Sequence, residues 1–289
     1  MTRDMKHAYL ILAHNEFGLL QTLIGCLDDA RNDIFVHIDR KVKTLPVLHT
    51  RKAGLTVLPE RIDIRWGDCS MVAAEYALFE AAAAQGTYRY YHLLSGVDLP
   101  LKSQDYIHRF CAEHDGKEFI GYTLTEMTPE IARRMQRWHL FPRHFSRRRN
   151  GWGVVRALGL RMQELLSIRR NRDIDFKKGS QWVSLTDGFV RWLLTQKAWT
   201  LRTFTHTFVP DECFIQTLAW RSPYRENLFD TESDGTGCMR AIGWRGSELI
   251  DWSAADYDTL AASPALFARK FNSTDPAFVE KIVSLSACR

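Results

Sequence analysis

The chain has 289 residues, 45% of them hydrophobic and 25% charged, with a formal net charge of +5. It is therefore long enough to bury a full core and too apolar to be a disordered segment, and no stretch approaches the ~18 consecutive apolar residues of a membrane-spanning helix. Six cysteines (Cys26, Cys69, Cys111, Cys213, Cys238, Cys288) show neither CxxC pairing nor zinc-ligand spacing, so they read as reduced thiols, not as a disulfide or zinc framework. In chain order, AYLILA (8–13) is a short buried-strand run, EFGLLQTLIGCLDDA has helical spacing at Phe17, Leu20, Leu23, Ile24 and Leu27, and DIFVHID (33–39) is a second strand. That is a βαβ unit, which predicts a parallel sheet with a right-handed crossover. LTVL (55–58) is a further strand, and SMVAAEYALFEAAAA (70–84) an alanine-rich helix with Ser70 as candidate cap. YYHLL (90–94) is the next strand; SGVDLPL breaks it before a helix capped by Ser103. EFIGY (118–122) reads as a strand, and Thr128 with Pro129 starts a helix. Further on, GSQWVSL (179–185) reads as a strand, 187–204 and 211–220 as helices, 238–244 as a strand, and a last helix begins near Pro276. With no internal repeat or linker, the pattern predicts one α/β domain over residues 1–289 with a mostly parallel sheet and an irregular basic insertion at about 133–178.

That insertion holds most of the basic excess, with fourteen Lys or Arg against three acids, Glu164, Asp173 and Asp175. Such a run suits a solvated face, an anionic membrane surface or nucleic acid. No nucleic-acid motif accompanies it, so nucleic acid is not the expected partner.

In an open α/β sheet, ligands bind beyond the carboxyl ends of the strands. AHNEFG follows the first strand where a dinucleotide site would carry GxGxxG, and the chain has no Walker motif. A nucleotide-sugar site remains, with Asp39 at the end of the second strand as a ribose- or base-binding acid. In VPDECFIQTL (209–218), Pro210 and the acidic pair Asp211 and Glu212 suit the first turn of a helix. The same residues also suit a catalytic carboxylate, and the local pattern leaves both readings open.

The segments YLILAHNEFGLLQTLIGCL, IFVHIDRK, RWGDCSMVAAEYALFEAA, YYHLLSGVDLPLKS, GSQWVSLT, VPDECFIQTL, CMRAIGW and LFARKF resemble, in order and spacing, the core-2 and I-branching β-1,6-N-acetylglucosaminyltransferases and peptide O-xylosyltransferases. The resemblance runs from about residue 8 to 275. It implies a GT-A type fold and inverting transfer of a sugar, N-acetylglucosamine first and xylose next, from a UDP-sugar to a glycan or other hydroxyl acceptor. It also implies no requirement for a cofactor or a divalent metal. Glu212 takes the family's general-base position, and Asp211 is then expected to cap the helix. Arg240 and Lys270 match the cations on the diphosphate, Lys270 with Arg269 as a neighbouring competitor. Ala13, His14 and Asp39 would line the nucleoside pocket, and Ser95, Gly96 and Asp98 the donor-sugar loop; Trp182 is an acceptor-side candidate. The segment Asp173-Ile174-Asp175 is a DxD, the signature of a metal-dependent alternative, but SIRRNR before it is no strand to aim the two carboxylates. The family's animal members carry a membrane anchor and a stem, whereas this sequence starts almost at the first strand. The expectation is accordingly a cytoplasmic enzyme of polysaccharide synthesis, peripheral to an anionic membrane through the 133–178 region.

Overall fold

Seven consecutive buried residues, His7–Ala13, form strand β1 in the computed structural model, which describes residues 5–145, 151–246 and 248–287. Arg147, Arg148 and Arg149 of the basic run, and Cys288, lie outside the described residues. Helix α1 (Phe17–Cys26) returns the chain to β2 (Asn32–Ile38), which pairs with β1 in parallel register from His7↔Asn32 to Ala13↔Ile38. Strand β3 (Gly54–Val57) adds outside β2, and helix α2 (Ser70–Gln85) crosses back to β4 (Tyr90–Ser95) on the other side of β1. A two-residue strand β5 (Leu99–Pro100) and helix α3 (Gln104–Glu113) follow; α4 is Pro129–Met135 and α5 Gly151–Leu165. The second half contributes β6 (Ser184–Thr186), α6 (Asp187–Thr195), α7 (Lys197–Phe204), α8 (Phe214–Arg221), α9 (Asp234–Cys238) and β7 (Arg240–Ile242). A small hairpin of β8 (Trp244–Arg245) and β9 (Glu248–Leu249) leads to α10 (Tyr257–Ala262), β10 (Phe267–Arg269) and α11 (Pro276–Ala287).

The main sheet has the order β3-β2-β1-β4-β6, parallel except for β6, and a second sheet has the order β5-β10-β7. This mixed α/β layering is the GT-A type arrangement expected from the sequence. Alternation along β1 sends Ala8, Leu10 and Leu12 into the core beneath α2, α6 and α8, while Tyr9, Ile11 and Ala13 enter a second core with α1, α3 and α11. Both faces of the sheet are covered, which is why its strands read as continuous apolar runs. Strand order reverses at β1, with β2 on one side and β4 on the other, and the carboxyl ends at that switch form the ligand-binding crevice of such sheets. Among the described residues, no helix is long and apolar enough to cross a membrane.

Several local expectations are corrected. Ser70 is the first residue of α2 and not its cap: Asp68 Oδ1 accepts its backbone N–H at 2.7 Å. Residues 118–122 make only single-residue bridges, Glu118 with Leu228 and Phe119 with Ser184, because Gly121 is pressed against Asp234 and leaves the pleat. The strand expected over 179–185 shrinks to Ser184–Thr186, and the helix over 187–204 divides in two at Gln196. The strand expected near 238 starts later, after α9. Ser103 and Thr128 do cap α3 and α4, accepting the N–H groups of Tyr106 and Ile131.

Candidate active site

The crevice at the β1/β4 switch gathers the residues expected on the donor side. Ala13 ends β1, His14 follows it exposed, and Asp39 follows β2 with its N–H on Ala13 O at 2.9 Å. Partial desolvation by neighbouring atoms lowers the His14 pKa, and the nearby Asp39 partly offsets that. The Asp39 carboxylate accepts from the backbone N–H and Nζ of Lys41, at 2.8 and 2.7 Å. Beside these lies the turn after β4. Gly96 N–H donates to Leu12 O at 2.9 Å, and a Cβ there would stand 3.1 Å from that of Ala13, so glycine lets this turn close over β1. Asp98 is buried and accepts the N–H of Ser95 at 2.9 Å.

β10 brings cations to the same turn, since Phe271 N–H reaches Val97 O at 2.9 Å. Arg269 stands 3.9 Å from Asp98 and lies over the Trp182 ring, 4.0 Å from its centroid, with Nε and Nη1 unbonded. Lys270, half-buried, pairs with Asp251 at 2.7 Å. Two of the expected residues lie deeper in the fold than the others. Arg240 is 2% exposed, and its guanidinium donates to Cys238 O, Val183 O and Ser184 Oγ while stacking on Phe267. It therefore braces β7 against the core, with Nε left without a hydrogen-bond partner. Trp182 is likewise buried in the core, with Arg269 across its face where a sugar would stack.

Glu212 sits at a second place, a cleft of about 450 Å³ whose lining includes Trp66, Glu130, Arg134, Arg156, Phe208 and Glu212. Pro210–Glu212 is a single 3₁₀ turn, entered through Val209 at φ 53° and followed by α8. Pro210 stops a regular helix from starting earlier, and the turn swings Glu212 out of the helix line. Arg134 of α4 donates to Glu212 Oε2 at 2.9 Å, to Val209 O at 2.9 Å and to Phe208 O at 3.2 Å. One part-buried guanidinium thus fixes the turn and aims the carboxylate, whose side chain stays 38% exposed to the cleft. Arg156 of α5 covers the Phe145 and Phe208 rings on the cleft wall.

Asp211 does not cap a helix, because neither the turn nor α8 has a side-chain cap bond. It is part-buried, and desolvation, then repulsion from Glu212, pushes its pKa up to about 7. Glu75, an acid inside the alanine-rich α2, is raised well above the carboxylate range by burial and by Asp211, and Gln181 donates to it at 2.8 Å. Arg134 and this acid pair escaped the sequence reading; Glu75 on an otherwise apolar helix face was the one visible sign. Asp173 and Asp175 are exposed in a loop, and Asp175 pairs with Lys177 at 2.6 Å, so they do not form the strand-end carboxylate pair of a DxD site. Among the described residues, His7, His92 and Cys111 are close enough to share an ion, but His7 and His92 bond each other at 3.0 Å and lie in the core, His7 opening β1 far along the strand from its carboxyl end.

With this geometry in hand, comparison with known proteins is decisive on family: a family model described as Core-2/I-Branching enzyme matches residues 7–282. The chain belongs to the Core-2/I-Branching enzyme family. It is thus a member of a glycosyltransferase family. Curated relatives are the Xylosyltransferase 2 proteins of Rattus norvegicus, 23% identical over 293 residues, and Homo sapiens, 21% identical over 293 residues. The Xylosyltransferase of Ciona intestinalis is 22% identical over 294 residues. Each alignment covers 93% of this chain and 32% of the relative, so this Core-2/I-Branching chain spans about a third of the length of the curated relatives it matches.

Proposed function

We propose that the chain is an inverting glycosyltransferase that moves a sugar from a UDP-sugar to a hydroxyl acceptor, with Glu212 as general base. The observation that carries this reading is the Glu212 carboxylate, aimed by Arg134 into the cleft and still open to it. In a single displacement the acceptor oxygen forms the new bond to the anomeric carbon while the bond to the diphosphate breaks and UDP leaves with the electron pair. Glu212 takes the acceptor's proton, a role that contributes roughly 10² to 10⁴ in rate. The departing charge needs stabilisation, and the cations at the β1/β4 crevice suit it: Lys270, with the buried Arg269 and Arg240 behind it, each holding at least one nitrogen without a hydrogen-bond partner. A unit charge pair at 4 Å contributes about 4 kcal/mol at an effective dielectric near 20, so two cations can do the work of a metal ion. We read the reaction as independent of a divalent metal. Ala13, His14 and Asp39 supply the nucleoside end, and Ser95, Gly96 and Asp98 the wall beside the sugar.

N-acetylglucosamine, from the sequence resemblance, and xylose, from the relatives' name, are the first donors to test. UDP release from a panel of UDP-sugars, with and without excess EDTA, tests the reading. Slow hydrolysis of one donor that survives EDTA is the expected result. Turnover abolished by EDTA would overturn the metal-free step, and no UDP-sugar binding by calorimetry would overturn the donor class.

A further inference from the structure

Helix α5 presents two unlike faces. Gly153, Arg156, Ala157 and Leu160 look into the Glu212 cleft. Gln163 locks the helix in place, exchanging two 2.8 Å hydrogen bonds with the backbone N–H and C=O of Trp138. On the opposite side Val154, Leu158, Met162 and Leu165 follow one another at spacings of four, four and three, and they are 60%, 63%, 61% and 80% exposed. That spacing is one stripe of a helix, and isolated exposed apolar residues need no explanation but a rigidly held stripe does. Leu166 and Ile168 extend it, and the exposed aromatic pair Phe141 and Trp152 lies near its start.

The charge around the stripe is one-sided. Arg143, Arg161, Arg169 and Arg172 are exposed. Two of the three acids in the 133–178 segment are neutralised, Glu164 by Arg133 and Asp175 by Lys177. An apolar helix face with interfacial aromatics and a cationic surround has the chemistry of a helix lying in the plane of an anionic membrane surface.

We propose that α5 docks this protein on anionic phospholipid, with the Val154-Leu158-Met162-Leu165 stripe in the headgroup region. The Glu212 cleft then lies about one helix diameter, roughly 10 Å, from the lipid, on the far side of α5. Docking does not depend on the chemistry assigned to Glu212. Purified protein is mixed with phosphatidylcholine vesicles with and without phosphatidylglycerol and floated on a density gradient. Wild type is expected to float with the anionic vesicles only, and less so as salt is raised. The double variant Leu158→Glu/Met162→Glu is expected to bind at least roughly tenfold more weakly. Its thermal midpoint and UDP-sugar hydrolysis without vesicles should be unchanged, which separates failure of docking from failure of the proposed activity. Arg161→Glu, severalfold weaker in binding, serves if the double variant is unstable. No flotation, equal flotation with neutral vesicles, or unchanged flotation of the variants would overturn the proposal. So would self-association of wild type in sedimentation equilibrium that the double variant loses, since the stripe would then face a second copy.

Discussion

Glu212→Gln separates a catalytic role from a structural one. The amide keeps the size of the side chain and keeps an oxygen to accept the 2.9 Å bond from Arg134. Arg134 also retains Val209 O, Phe208 O and its 3.2 Å pair with Glu130, so it is not left buried without a partner. With the Glu212 side chain 38% exposed, solvent screening limits the ion pair to about 1 kcal/mol or less. The variant should therefore unfold within about 1 kcal/mol of wild type in urea. Its turnover, by contrast, should fall by roughly 10² to 10⁴, because an amide cannot take the acceptor's proton. Steady-state UDP release with the best donor, alongside urea titration, gives both numbers. Activity within about threefold of wild type, far short of the loss general-base removal implies, would refute the base assignment. A fall in activity matched by a loss of several kcal/mol in stability would show instead that Glu212 acts by holding the turn.

Lys270→Ala should lower kcat/KM by about 10² with little change in stability, as expected for a half-exposed cation facing a leaving group; donor-independent activity loss or a large fall in stability would contradict it. Gly179→Ala should instead cost fold and activity together, by about 3 kcal/mol or more, since its Cβ would sit 1.9 Å from Gly121 O and Gly179 N–H holds Glu212 O at 2.9 Å; urea melts and UDP release read both. Glu118 is buried and its carboxyl is pushed up to about 7, despite hydrogen bonds from the Thr186 N–H and hydroxyl. Because the folded state keeps a proton that the unfolded chain has already released, its contribution to stability falls as pH rises from about 4.5 to 7, by roughly 3 kcal/mol in total. Glu118→Gln should remove that slope, so the gap between wild type and variant in urea melts at pH 4.5 and 8 should change by about this amount; parallel curves would rule the linkage out.

Local pattern carried the first half of the fold well. The runs at 8–13, 33–39, 55–58 and 90–94 became strands within a residue or so; for β1, β2 and β4 this follows because both faces of the parallel sheet are buried there and the strand must be largely apolar. Ser103, Thr128 and Pro276 marked helix starts for equally local reasons of capping and fixed φ. Pattern failed over 118–122 and 179–183, where buried residues form no regular strand because Gly121 and Gly179 pack backbone against backbone and the chain follows that contact. Hydrophobicity reports burial, and burial alone does not say which partner a backbone will pair with.

The candidate site divides along the same line. Membership of the family, the place of Ala13, His14, Asp39, Ser95, Gly96 and Asp98 at the ends of β1, β2 and β4, and the Pro-Asp-Glu turn that holds Glu212 were all legible in residue order, since each depends on a short segment whose conformation its own residues impose. Tertiary structure decided the rest. It placed Arg134 on Glu212 across 78 positions, turned Arg240 and Trp182 into the core, left Arg269 with unbonded nitrogens beside Asp98, and gave α5 its exposed apolar stripe. A charged or aromatic side chain looks the same in sequence whether it faces a ligand or a carbonyl of its own core. What it faces is settled by which distant backbone oxygens the packing brings within about 3 Å of it.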